Sequence, residues 1–240
     1  MGERAWIIAH RGASAAAPES TEEAIRLAFR LRADMVELDV HMTADRRLVI
    51  FHDDRLDRTT DGHGLLRRRR YAELARLDAG AWFASRFAGQ RILLLSQALR
   101  VARSHRVNLE LKGTAQPRQL IERVVRCLRQ ARATTRVLVS SFDVSLLARL
   151  RRAQPRIALA LLCRWRPRPA LERAVRLGCV AFHPHASLVT PALVRDARAA
   201  GLRVHTWTVE DPRQARRLVR LGVQGLVTNV PDRIRRALAG

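Results

Sequence analysis

The chain has 240 residues, which suits one (β/α)₈ barrel and equally two average domains, and its 48 % of hydrophobic residues exclude a disordered chain. A formal net charge of +23 at pH 7 would point to nucleic acid or an anionic membrane, yet Lys112 is the only lysine among 45 basic residues, and Asn108 and Asn229 are the only asparagines. That is a coding bias toward arginine, and arginines such as Arg213, Arg216, Arg217 and Arg220 fall on the polar face of a predicted helix. Solvated faces are therefore expected rather than a nucleic-acid surface, with a positive field for a phosphate-bearing substrate as the residual role. No apolar run approaches the roughly 20 residues of a membrane helix, so no stable membrane insertion is expected. The apolar stretch at Trp6–Ala9 is too short for a signal peptide. Cys127, Cys163 and Cys179 lack metal-type spacing and suggest reduced thiols in a cytoplasm.

In chain order, apolar strand candidates alternate with amphipathic helices. Strand Trp6–His10 precedes helix Thr21–Arg32, where Ala24, Ile25, Leu27, Ala28 and Leu31 share one side. Strands Met35–Val40 and Leu48–His52 follow, then helix Leu94–Ser104 and strand Asn108–Lys112. The remaining strands are Val137–Phe142, Ile157–Cys163, Cys179–Pro184, Val204–Val209 and Gly225–Asn229. Helices over Pro117–Arg132, Val144–Ala153, Arg168–Leu177, Pro191–Ala200, Pro212–Leu221 and Asp232–Ala239 separate and follow them. Thr190 before Pro191 and Asp211 before Pro212 read as N-caps with proline at the first helical position. This alternation implies a parallel sheet.

Nine strands are one too many for an eight-stranded barrel. Only seven residues separate Val40 from Leu48, too few for a parallel crossover, so these two form a hairpin turning at Asp45–Arg47. The prediction is an α/β fold, a (β/α)₈ TIM barrel spanning 1–240 as one domain. Strand 2 rises above the mouth, and its return brings His52 level with Asp39 within one residue. The excursion after His52 is too long for an ordinary loop and predicts a compact inserted subdomain over the mouth, about 54–90.

Barrel enzymes carry their chemistry at the C-terminal ends of the strands. There the sequence places His10-Arg11-Gly12, Glu37-Leu38-Asp39, His52-Asp53 and Glu110-Leu111-Lys112, with His183, Trp207 and Asn229 at later ends. Glu37 and Asp39 are two apart on a strand and point to one side, as do Glu110 and Lys112. Three carboxylates in a barrel mouth call for a cation, and oxygen donors favour one hard divalent ion, Mg²⁺ or Ca²⁺. His10 and His52 can divide proton acceptance and donation, and Arg11 and Lys112 can hold phosphoryl oxygens. A lone lysine where arginine is the habit suggests a pocket too narrow for a guanidinium. His41, His63, His105 and His185 lack such company and are expected at the surface. Gly12 is expected to permit a sharp turn after the first strand.

These pieces, with Pro18-Glu19-Ser20-Thr21, Leu56-Asp57-Arg58-Thr59-Thr60, Ser140-Ser141-Phe142-Asp143, Trp207-Thr208-Val209 and Thr228-Asn229, resemble in order the glycerophosphodiester phosphodiesterase family. The resemblance covers nearly the whole chain. It implies hydrolysis of a small-molecule glycerophosphodiester to sn-glycerol 3-phosphate and an alcohol, within glycerophospholipid breakdown. It implies Glu37, Asp39 and Glu110 as metal ligands, and His10 and His52 as general acid and base. Arg11 and Lys112 would hold phosphate or substrate, and Trp207 would line the pocket near the glycerol. In the mechanism it implies, the neighbouring glycerol hydroxyl attacks phosphorus and water opens the cyclic phosphate. Departures occur at Leu93–Gln97, Ser20 and Glu210, where the family often has Pro-Thr-Leu with acidic residues, Asn, and Asn or Asp respectively; they bear on the shape of the mouth. Two other readings are a phospholipase-like barrel acting on intact lipids through exposed Trp82, Phe83 and Phe87, and a binding protein on an inactive barrel. The first needs apolar loops at the mouth; the second needs a lost ligand or histidine, and none is lost. The oligomeric state and the preferred head group stay open.

Overall fold

The computed structural model describes residues 4–239. Its strands, in chain order, are β1 (Trp6–His10), β2 (Met35–Met42), β3 (Leu48–Ile50), β4 (Arg106–Leu111), β5 (Val137–Ser141), β6 (Ala158–Cys163), β7 (Ala181–Pro184), β8 (Arg203–Thr206) and β9 (Gly225–Thr228). Eight of them, all but β3, pair in parallel around a ring that closes between β9 and β1. Strands such as β5 and β7 are buried at every position, as expected of a parallel sheet covered outside by helices and filled inside by its own side chains. The helices are α1 (Glu22–Arg30), α2 (Tyr71–Leu74), α3 (Leu95–Val101), α4 (Pro117–Gln130), α5 (Val144–Ala153), α6 (Pro167–Arg176), α7 (Pro191–Ala199), α8 (Pro212–Arg220) and α9 (Pro231–Ala239). Thr190 and Asp211 cap α7 and α8 through their side-chain oxygens, as the sequence implied. The four arginines of α8 are exposed, because Ala215 and Leu218 carry its buried face.

β3 lies outside the ring and is antiparallel to β2. The two neighbours on that edge of β2 divide it: β1 pairs with Met35, Val36 and Glu37, and β3 takes over at Val40. The tip turns at Arg46, whose φ of 62° is left-handed, with Thr43 N–H donating to Arg47 O at 3.0 Å. Phe51 N–H donates to Asp39 O at 3.1 Å, so His52 comes one residue past the level of Asp39.

The two faces of β3 serve different cores. Leu48 and Ile50 join the main core, whereas Val49 and Phe51 join a smaller one with Leu56, Leu66, Leu74 and Ile92. That smaller core holds segment 54–90 against the face of β3 that carries Val49 and Phe51. β3 ends at Ile50, and the chain then leaves the strand, which lets His52 line the cavity at the barrel mouth. Val49 pairs with His41, on the face of β2 that carries Asp39, so segment 54–90 packs on the mouth side of the hairpin, and Arg58 reaches across the rim to Glu19, although no residue of the segment lines the cavity shared by His10 and His52. Trp82, Phe83 and Phe87 instead stack edge to face on one another, with centroids 5.5 Å apart for each adjacent pair.

After β1 the chain reverses through Arg11 (φ 57°) and Gly12 (φ 87°). A Cβ at residue 12 would lie 2.6 Å from the carbonyl carbon of Ala24, because the turn is pressed against α1 and Ala13 N–H donates to Ala24 O. Gly12→Ala combines a left-handed backbone with a backbone collision. It should lower unfolding stability by about 2–4 kcal/mol in a denaturant titration. A loss below about 1 kcal/mol would show that α1 yields at no penalty.

Candidate active site

Glu37, Asp39 and Glu110 all project into the mouth because β2 and β4 run in register, with Asp39 opposite Glu110. Each offers an oxygen within 4.8 Å of the others. Glu37 and Asp39 are 4 % and 2 % exposed. Glu37 Oε1 and Asp39 Oδ2 are buried with no hydrogen-bond donor. Arg11 Nε, 3.5 Å from Asp39 Oδ2, makes an ion pair too long to serve as one. Burial first, then the charges of Asp39 and Glu110, pushes Glu37 well above the usual carboxylate range. Glu110 is raised by burial and by Asp39. Asp39 is held below its usual value against burial by Lys112, His52 and Arg11. Buried oxygens of like charge without donors are the chemistry that a hard cation satisfies, so these three residues could hold a divalent metal.

Lys112 lies just past β4 and completes the ladder through its N–H to Val40 O. Its Nζ is 2.7 Å from Asp39 Oδ1 and 2.5 Å from Glu110 Oε1. The two carboxylates raise its pKa although burial opposes the charge. The lone lysine thus fills a gap between two acids, where a planar guanidinium would need more width.

His10 ends β1 and His52 follows β3, and both line one cavity of about 260 Å³ with the three carboxylates. His10 Nε2 points inward, 3.9 Å from Glu37 Oε2. Its Nδ1 is hydrogen-bonded to Asn229 Oδ1 at 2.7 Å. Burial, with help from Arg11, pushes its pKa down to about 4, so the ring is neutral near pH 7. His52 Nδ1 donates to Asp53 Oδ1 at 2.5 Å.

Three residues missed as partners hold this arrangement. Arg58 forks across the rim, with Nε 2.6 Å from Asp53 Oδ2 and Nη1 2.8 Å from Glu19 Oε2. Glu19 also accepts from Arg11 Nη1 at 3.0 Å. His41, expected at the surface, is 8 % exposed, and its Nε2–H donates to His52 O at 3.1 Å. It misled because strand β2 carries it past the barrel into the hairpin, where β3 and the next segment cover it. The motif residues Glu19, Asp53 and Arg58 carried the only signal for the rim network, and pairing across 39 positions is invisible in one sequence.

Trp207 lines the cavity. Its indole N–H is already given to His183 O at 2.9 Å, so it offers a substrate its ring and not a hydrogen bond. Phe142 meets it edge-on at 5.6 Å.

Fold and site define a phosphoric diester hydrolase built on a TIM barrel. The model of the glycerophosphoryl diester phosphodiesterase family matches residues 10–233, and the chain belongs to that family. It is 34 % identical to a glycerophosphodiester phosphodiesterase of Bacillus altitudinis over 236 residues, covering 95 % of each chain. It is 32 % identical to one of Caldanaerobacter subterraneus over 229 residues, covering 94 % of each. Among solved structures, an Oleispira antarctica phosphodiesterase in complex with the product sn-glycerol-3-phosphate superposes with a TM-score of 0.94 at 34 % identity, covering 98 % of this chain and 97 % of that one. No helix among the described residues is long and apolar enough to cross a membrane.

The rim network makes a pH-dependent contribution. Against partial burial, hydrogen bonds from Arg58 and His52 hold Asp53 at about 2, below its ordinary 3.8. Glu19 is lowered against burial by Arg58 and Arg11. Both folded-state values lie below the unfolded ones, so this stabilisation is complete above the unfolded values and is lost as pH falls through the folded ones. Arg58→Ala should therefore be less stable than the parent at pH 6, and the gap should close between pH 4.5 and about 2 in parallel denaturant titrations. A gap independent of pH would show that Arg58 acts by packing alone.

Proposed function

We propose that the chain hydrolyses glycerophosphodiesters to sn-glycerol 3-phosphate and an alcohol, with one divalent cation and with His10 and His52 dividing the proton transfers. The carrying observation is the pair of orphaned oxygens on Glu37 and Asp39 inside a cavity shared with both histidines. The product held by the Oleispira relative supports the substrate class. The reading covers residues 1–240 as one catalytic domain, with 54–90 as its insertion. Breakdown of glycerophospholipid remnants is the process it fits. The free thiols of Cys127, Cys163 and Cys179, each raised by burial, suit a reducing cytoplasm.

Glu37, Asp39 and Glu110 would hold Mg²⁺ or Ca²⁺, whose charge favours the phosphoryl oxygens as negative charge builds on them. The protein's own groups do the rest. Arg11 and Lys112 add fixed positive charge around the phosphate, and Trp207 packs its ring on the glycerol. His10 donates through Nδ1 to Asn229, which leaves Nε2 as a lone pair facing the cavity. A neutral imidazole there accepts the proton of the glycerol hydroxyl that attacks phosphorus. His52, whose Nδ1 is held by the Asp53 carboxylate, delivers a proton to the departing alcohol oxygen. The roles then exchange as water opens the cyclic phosphate: His52 takes the proton of water and His10 returns its own to the glycerol oxygen.

Glycerophosphocholine or glycerophosphoethanolamine with Mg²⁺ or Ca²⁺ should yield glycerol 3-phosphate, and EDTA should stop it. Absence of metal-dependent product from both substrates sinks the reading. His10→Ala and His52→Ala should each reduce kcat by about 10²–10⁴-fold with the fold intact. Full activity in either removes that histidine from the mechanism. In thermal scans the cation should raise Tm, and Glu37→Gln should abolish the rise; an undiminished rise in that variant places the ion elsewhere. Lys112→Arg should lose activity, because the broader cation crowds the gap between Asp39 and Glu110; a silent substitution means that the gap accepts either.

A further inference from the structure

Asn229, just past β9, is the hydrogen-bond partner of His10 Nδ1. An amide can present either its oxygen or its NH₂ to an imidazole, and the two choices impose opposite tautomers. Asn229 Oδ1 accepts from His10 Nδ1 at 2.7 Å and from the Ser14 hydroxyl at 2.8 Å. Ser14 can donate or accept and so cannot enforce that sense. At its other end Asn229 Nδ2 donates to the carboxylate of Glu210, which follows β8 and precedes the Asp211 cap of α8. A carboxylate only accepts at neutral pH, so it tolerates only the NH₂ end of the amide.

We propose that Glu210 is a positioning residue. It locks the Asn229 amide with its oxygen toward His10, and so holds the His10 proton on Nδ1 and leaves Nε2 free to accept from substrate. The inference rests on the role of His10 as acceptor. Glu210 itself is exposed and does not line the cavity. It acts through two intervening groups, and its effect falls on the chemical step and not on substrate affinity. Ser14 supports the same sense once Glu210 has chosen it, since its hydroxyl proton then has a ready acceptor.

The test uses the metal-loaded full-length protein. Long-range ¹H–¹⁵N spectra of ¹⁵N-histidine-labelled enzyme report the His10 tautomer, with His10→Asn assigning the signal. The parent should show the Nδ1–H form. In Glu210→Lys the ammonium can only donate, so the amide turns, His10 Nδ1 must accept and the proton moves to Nε2. Accordingly kcat should fall by about tenfold or more while KM and Tm hold. In Glu210→Lys/Asn229→Asp the residue at 229 has no donor end to present. The Nδ1–H form should return, and with it most of the lost kcat. An unchanged tautomer in Glu210→Lys, a kcat that holds, or a parent already in the Nε2–H form overturns the proposal. If the parent hydrolyses no glycerophosphodiester, the functional reading fails, and the tautomer spectra still decide whether Glu210 controls His10.

Discussion

Everything at the barrel mouth is organised around negative charge that is largely buried. Glu37 and Asp39 are almost fully buried, and Glu110 stands beside them. In so poorly solvated a setting, like charges a few ångströms apart are strongly disfavoured unless cations compensate them. Lys112 and Arg11 provide part of that compensation within the chain. The remainder is unmet on two carboxylate oxygens, and that deficit is what the proposed divalent ion would fill. The left-handed turn at Arg11 serves the same charge, since it sets Arg11 N–H on Glu37 Oε2 at 3.2 Å.

The parts of this design that depend on period and spacing were readable in the sequence. Strand alternation put Glu37 with Asp39 and Glu110 with Lys112, and the shortness of segment 41–47 separated β3 from the ring. Composition singled out Lys112. The parts that depend on meetings between distant segments were not readable. Arg58 pairs with Glu19, and Glu210 with Asn229, through loops whose approach is set only when the barrel closes. His41 was misassigned for a related reason: on an outlying hairpin, burial is set by what folds over it.

The same contrast separates the two histidines by the kind of support that each receives. His10 is held by an amide whose direction is set from behind by an acid on the neighbouring strand end. His52 is held by its own sequence neighbour Asp53, by Arg58 from the inserted segment, and by His41 across the hairpin. One is oriented by the barrel and the other by the excursion.

That division has a thermodynamic consequence. β1 is paired on both edges in a closed ring, so freeing His10 requires much of the barrel to open. β3 is three residues long, and its smaller core is built largely from local segments. The two histidines therefore rest on unequal supports: a strand paired on both edges holds His10, and a three-residue strand paired on one edge to β2 precedes His52. If the proposed division of proton transfers holds, loosening of the short β3 edge would cost turnover before it cost the stability of the ring.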